Sequence, residues 1–259
     1  MSDGTNLLVA RGISVSFGGV HAVVDVDLEV GPGELVGLIG PNGAGKTTFI
    51  DAITGFVGHR GTTTLDGTDI TKLSPHERAR RGMARTWQAI ELFDDLTVRE
   101  NLTVAAVHPS VWGTVKEVLA RTVAHSDSVD DMLEMFSLGG FADTTPSELT
   151  QGQRKLVGVA RALAARPKLL CLDEPAAGLD AQESVAFGRH LRDIVDRGTP
   201  MLLIDHDMGL VLGISDRVVV LEFGKVIAVG TPRDVRADPR VVAAYLGSAA
   251  NEAKALTDG

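Results

Sequence analysis

Residues 35–50 read LVGLIGPNGAGKTTFI, a short apolar run that breaks into a glycine-rich loop and resumes as a helix-forming segment. Gly40, Gly43, Gly45, Lys46 and Thr47 satisfy the spacing G-x-x-x-x-G-K-T, in the strand-before, helix-after context that pattern requires. Glycines let the backbone curl until successive N–H groups converge on one point, where side chains would otherwise intrude. A helix starting near Lys46 adds its positive dipole end to that point, so a polyphosphate is the natural occupant. Lys46 supplies a mobile charge for the outer phosphates, and the Thr47 hydroxyl is a candidate ligand for the Mg²⁺ that accompanies them. Asn42, Ala44 and Thr48 complete the expected cradle. The plain alternative is a glycine turn between a core strand and a helix.

Such a cradle needs a domain around it, and 259 residues with 44% hydrophobic content suffice for a real core. No apolar run is long enough to span a bilayer, and the polar start MSDGTN lacks the regions of a signal peptide. The protein is therefore expected to stay in the cytoplasm, which makes the sequon at Asn101 a chance match. The single cysteine, Cys171, lies in the apolar run LLCLDE and is expected to be a buried, inert thiol. Net charge is −9, and the largest basic cluster is RARR at 78–81. Neither nucleic acid nor anionic lipid is indicated, and partners should be proteins.

Residues 7–30 alternate apolar and polar around Gly18-Gly19, which predicts antiparallel strands before the cradle. Residues 61–70 predict a hairpin turning at Asp66-Gly67, in the same sheet. Ser74-Pro75-His76-Glu77 predicts a helix start. A short strand should follow, ending at Gln88, and then helices over 97–107, 111–123 and 129–136, a helical insertion. From Gln151 onward the order is helix to Ala165, strand 169–172, helix 182–197, strand 201–204, helix 210–214, and a hairpin about Gly224-Lys225. This alternation argues a mostly parallel sheet covered on both faces.

The strand at 169–172 ends in two adjacent carboxylates. Asp173, at the carboxyl edge of the sheet, can hold a metal, and Glu174 points elsewhere and can polarise water as a general base. The cradle lies 127 residues upstream and is expected on an adjacent strand. Ile204-Asp205-His206-Asp207 repeats the geometry, and His206 there can donate to a terminal phosphate oxygen. The other histidines, His190 among them, are expected in turns or on polar helical faces.

These motifs stand in one order: cradle, Gln88, Leu149-Thr150-Gln151-Gly152-Gln153, Asp173-Glu174, Gly178-Leu179-Asp180, His206. In that order the chain resembles, over nearly its whole length, the ATP-binding subunit of an ABC transporter. The resemblance implies an α/β fold with a P-loop NTPase core, an N-terminal antiparallel β subdomain and a helical insertion subdomain. It also implies ATP and Mg²⁺ as cofactors. Phe17 would stack on adenine, Gln88 would sense the metal and couple to the membrane partner, and the Asp180 loop would cross to a second subunit. The LTQGQ segment would face the ATP held by that second subunit. Physics supports such a seat independently, because LTQGQ opens a helix and Thr150, Gly152 and Gln153 lie at its positive end. One chain would then carry two half-sites, completed head to tail in a homodimer or with a paralogous ATP-binding subunit. Thr150 and Gln151 depart from the common signature LSGGQ, which bears on how closely the backbone approaches the phosphate.

The stretches ARTWQAIEL (84–92), LTVRENLTVA (96–105) and DPRVVAAYLG (238–247) look like the ATP-binding subunit of branched-chain amino acid importers. Urea importers and a lipopolysaccharide exporter use similar subunits, and repair and ribosomal ATPases of the superfamily carry a long coiled coil or two cassettes, which this chain lacks. The resemblance implies one ATPase domain over 1–248, with β parts at about 6–34 and 60–72, a helical part at about 90–160, and a flexible tail at 249–259. It implies membrane permease subunits as partners, a periplasmic or extracellular binding protein indirectly, and a peripheral place on the cytoplasmic side of the membrane. In the terminal stretch, Val241, Val242, Tyr245 and Leu246 are expected close to one docking face.

Overall fold

Apolar runs without a polar side form the middle of the larger sheet, because a strand covered on both faces has no solvent side to mark. The computed structural model describes residues 6–86, 92–106 and 129–246. Strands β3 (Leu35–Ile39), β7 (Leu169–Asp173), β8 (Met201–Ile204) and β9 (Arg217–Glu222) join β6 (Met83–Thr86) and β10 (Lys225–Gly230) in one sheet, ordered β10-β9-β3-β8-β7-β6. All neighbours are parallel except β10, which pairs antiparallel with β9. Within each central strand the parity of the residue decides its face. Leu170, Leu172, Met201, Leu203, Val218 and Val220 enter one core cluster, while Leu169, Cys171, Leu202, Ile204, Val219 and Leu221 enter the other. Burial pushes the Cys171 thiol up to about 12, the inert state expected of it.

The second sheet is the predicted antiparallel one, with β1 (Leu8–Phe17), β2 (Val20–Val30), β4 (Arg60–Leu65) and β5 (Thr68–Asp69) in the order β2-β1-β4-β5. The helices are α1 (Lys46–Thr54), α2 (Pro75–Arg80), α3 (Val98–Ala106), α4 over 129–135, α5 (Gln151–Ala164), α6 (Ala181–Asp196), α7 (Met208–Ile214), α8 (Pro232–Ala237) and α9 over 239–246. The helix predicted over 111–123 lies outside the described residues.

Several expectations need correction. The cradle strand β3 and the carboxylate strand β7 are not adjacent, because β8 pairs with both, Leu38 and Asp173 each lying opposite Ile204. Strand order in a doubly wound sheet is set by which side each crossover takes, which chain separation does not record. The last hairpin turns at Phe223-Gly224, both at positive φ (46° and 77°), the pair of conformations that a tight two-residue turn requires. Arg78, the first residue of RARR, is no surface charge. Its buried guanidinium donates to the carbonyls of Ala52 (3.1 Å), Ile53 (2.6 Å) and Thr71 (2.7 Å) and so satisfies the end of α1. His190 does not sit on a polar face but stacks on Phe136, ring centroids 5.9 Å apart. On α9, Val241, Ala244 and Tyr245 turn to the core, whereas Val242 and Leu246 are exposed, since positions three and four apart share a face.

Candidate nucleotide site

At the carboxyl edge of the central strands three loops meet, those that follow β3, β8 and β7. The first is pressed between two other elements. A Cβ on Gly40 (φ 154°) would lie 2.1 Å from the Leu221 carbonyl oxygen, and one on Gly45 (φ 99°) would lie 2.4 Å from that of Ala22. Only glycine fits both places. Ala44 is buried, its N–H donating to Pro41 and its carbonyl accepting from Gly224, so its backbone braces the loop from within. Asn42, Gly43 and Thr47 are exposed and Thr48 half-buried, lining the open side where α1 begins without a side-chain cap. Lys46 is buried, and its Nζ donates to the carbonyls of Gly40 (2.7 Å) and Pro41 (3.1 Å). Burial holds its pKa below the ordinary lysine value, against the opposing pull of Glu174, Asp173 and Asp205.

Those carboxylates come from the other two loops. Asp173 is buried at the end of β7, and its Oδ2 accepts from the Arg85 guanidinium at 2.9 Å. Arg85, on β6, donates through its other arm to Asp51 of α1 at 2.5 Å. Burial pushes the Asp173 carboxyl above the usual range, with Arg85 opposing. Glu174 sits at φ 49°, which turns its side chain away from the strand line, and its N–H donates to Ile204 (2.7 Å). Its Oε2 lies 3.7 Å from His206 Nδ1, and Asp205 Oδ1 lies 3.5 Å from the same atom. Asp205 is buried and accepts from the N–H groups of Ala176 (3.1 Å) and Asp207 (3.0 Å), which locks the loop after β7 to the loop after β8. The structure thus brings together Lys46, Asp173, Glu174 and His206, as the sequence predicted. Gln88 lies outside the described residues.

Arg85 and Asp205 were missed by sequence reasoning. The available signal was parity: Arg85 follows Met83 on the buried face of a short strand, where a charge needs a partner. Phe17, half exposed at the end of β1, stands clear of the core.

The LTQGQ segment forms a second feature. Thr150 caps α5, its Oγ1 accepting from the Gln153 N–H (3.3 Å), while Gln153 Oε1 accepts from the Thr150 N–H (2.9 Å). Gln151 turns sideways, its Nε2 lying 2.6 Å from where a Cβ on Gly178 would sit. Asp180 caps α6 by accepting from Glu183 (2.8 Å), and the Glu183 carboxylate in turn borders Gly152. The Asp180 loop and the LTQGQ helix are therefore neighbours within one chain.

A glycine cradle, paired carboxylates and a histidine on one sheet edge, with a capped LTQGQ helix, define an ATP-binding cassette. Residues 23–177 match the ABC transporter family, to which the chain belongs as an ATP-binding subunit. Residues 225–251 match the branched-chain amino acid ATP-binding cassette transporter family. The chain is 40% identical to the high-affinity branched-chain amino acid transport ATP-binding protein LivG of Salmonella typhimurium, across 94% of this chain and 98% of that one. It is 40% identical to BraF of Pseudomonas aeruginosa over the same shares. The lipopolysaccharide export system ATP-binding protein LptB of Haemophilus influenzae is 36% identical across 93% of this chain and 98% of its own length. Among solved structures, the ADP conformation of an ATP-binding cassette of an ABC transporter superposes with TM-score 0.83 at 31% identity, covering 94% of this chain and 99% of that one.

Proposed function

We propose that this chain is the ATP-hydrolysing motor of an importer for branched-chain amino acids, acting with membrane permease subunits on the cytoplasmic side of the membrane. The observation that carries the ATPase reading is the convergence of Lys46, Asp173, Glu174 and His206 at one sheet edge. Lys46 leaves the Gly40 and Pro41 carbonyls for the terminal phosphates of ATP, and the backbone of 42–48 with the α1 dipole holds the rest of the chain of phosphates. Glu174 takes the proton of the attacking water, and His206 donates to a γ-phosphate oxygen. Phe17 offers an apolar platform to the base.

Asp173 Oδ1 is buried with no hydrogen-bond partner, which fits a cation or its water shell. No group of three or more His, Cys, Asp or Glu that could hold a metal occurs among the described residues; Mg²⁺ is ordinarily bound by one or two carboxylates with substrate phosphates and water. Asp173, Thr47 and Gln88 would hold that ion, which when bound neutralises charge on the phosphate oxygens. The half-site at Thr150, Gly152, Gln153 and Asp180 is completed by a second copy or a paralogous ATP-binding subunit. The domain layout over 1–248, with a tail at 249–259, belongs to this reading.

Support for the substrate is the match at 225–251 together with LivG and BraF. LptB supplies the competing reading. In vesicles with the permease, ATPase activity should rise when a binding protein loaded with leucine, isoleucine or valine is present. Stimulation by urea or by lipid alone, with no response to these amino acids, would overturn the substrate and leave the ATPase standing.

A further inference from the structure

Parity along two neighbouring strands puts an arginine and an aspartate on the same face of the larger sheet. Leu169 and Cys171 of β7 and Met83 of β6 enter the cluster that holds Phe49, Ile50 and Ile53 of α1. Asp173 and Arg85 continue those alternations, so both side chains turn to the α1 side. There the Arg85 guanidinium is fixed by several groups at once. Its Nη2 donates to Asp173 Oδ2 (2.9 Å), and its Nη1 donates to Asp51 Oδ1 (2.5 Å) and Thr54 Oγ1 (3.1 Å), both on α1. Its Cζ lies 5.5 Å from the centroid of the Phe56 ring, just past the end of that helix. The Arg85 and Asp173 side chains are almost wholly buried. One Asp173 oxygen is thereby taken, while Oδ1, also buried, has no hydrogen-bond partner.

A carboxylate that is to hold a cation needs a fixed orientation and an uncancelled charge. An arginine alone would supply the first and defeat the second, because its charge offsets that of the aspartate it binds. Asp51 resolves the conflict. With its carboxylate on the other arm of Arg85, the three groups together keep a net negative charge. Asp51 also lies one turn beyond Thr47 on α1, on the same face of the helix. We propose that Arg85 is a positioning residue for the metal: anchored to α1 through Asp51, it takes Oδ2 of Asp173, leaves Oδ1 for the cation, and ties that ligand to the helix that carries Thr47. The proposal rests on the reading of Asp173 and Thr47 as Mg²⁺ ligands.

Mn²⁺ serves as the probe, its binding read by electron paramagnetic resonance with the protein in excess over a non-hydrolysable ATP analogue. Arg85→Lys keeps the charge but loses the planar fork that spans two carboxylates. Asp51→Asn keeps an oxygen for Arg85 to donate to and removes the compensating charge. Both should weaken Mn²⁺ binding roughly 10- to 100-fold, the usual worth of a group that orients a metal ligand. Affinity for the same analogue in EDTA should stay at the wild-type value, a readout that damage to the fold would move. Should Arg85→Lys fail to fold, Asp51→Asn decides alone, since the Asp51 side chain is partly exposed and tolerates the change. Asp173→Asn, measured alongside, separates the two readings. Loss of Mn²⁺ affinity in Asp173→Asn with wild-type affinity in the other variants overturns this proposal alone, as does an equal loss of analogue affinity with and without metal. Unchanged Mn²⁺ affinity in Asp173→Asn overturns the reading of Asp173 as a ligand and this proposal with it.

Discussion

Lys46 is a buried cation that donates to two loop carbonyls, and that arrangement has a pH signature of its own. Its folded pKa lies below the ordinary value of 10.5, because burial penalises the charged form more than the neighbouring carboxylates favour it. Below the folded pKa both the folded and unfolded chains are charged, and the burial penalty acts in full. It fades as pH rises toward 10.5. Lys46→Met should accordingly melt no lower than wild type at pH 7.5, and any advantage should shrink toward pH 10.5. Its ATP affinity should fall roughly 10- to 100-fold, the worth of a charge-assisted contact to phosphate. Scanning calorimetry across pH and titration calorimetry with MgATP check the two halves, and undiminished affinity would reduce the cradle to a turn.

At the level of elements, β6 matters less for its length than for one side chain. Arg85 joins α1, through Asp51, to the end of β7, through Asp173, with both Arg85 and Asp173 side chains almost wholly buried. Taking away one member of a buried pair leaves a charge without compensation, so Arg85→Ala should destabilise by about 3–5 kcal/mol at pH 7. Asp173 already titrates above its ordinary value, and without Arg85 it titrates higher still. The added loss is present above that raised pKa and disappears as pH falls toward 3.8, the ordinary aspartate value. Urea unfolding at pH 7 and pH 4 reads it directly. An equal loss at both would assign Arg85 to packing, and Asp173→Asn in the Arg85→Ala background should recover much of the stability.

For the whole molecule, the proposed reading makes the cradle and the LTQGQ helix two incomplete seats, which a second subunit placed head to tail would complete. Glu174→Gln retains the phosphate seat but cannot take a proton from water. Hydrolysis should fall by roughly 10²-fold or more, and an ATP-dependent dimer should accumulate. Light scattering at saturating MgATP detects it. A mutant that stays monomeric would show that this chain does not close on its own copy. No helix among the described residues is long and apolar enough to cross a membrane.

What the sequence determined by itself is local. The cradle spacing, the cap at Ser74 with Glu77, the Thr150 start of α5 and the Asp66-Gly67 hairpin each depend on residues a few positions apart, whose geometry chain covalency already fixes. The ordered motifs carried the family and with it the roles proposed for Glu174 and His206. Tertiary structure decided what depends on distant partners: β8 lying between cradle and carboxylates, Arg78 closing α1, and Arg85 pairing with Asp173. None of these leaves a period or a spacing in the chain. Each exists because a buried polar group must find a partner wherever the fold brings one, and the fold is set by the packing of faces rather than by neighbours in sequence.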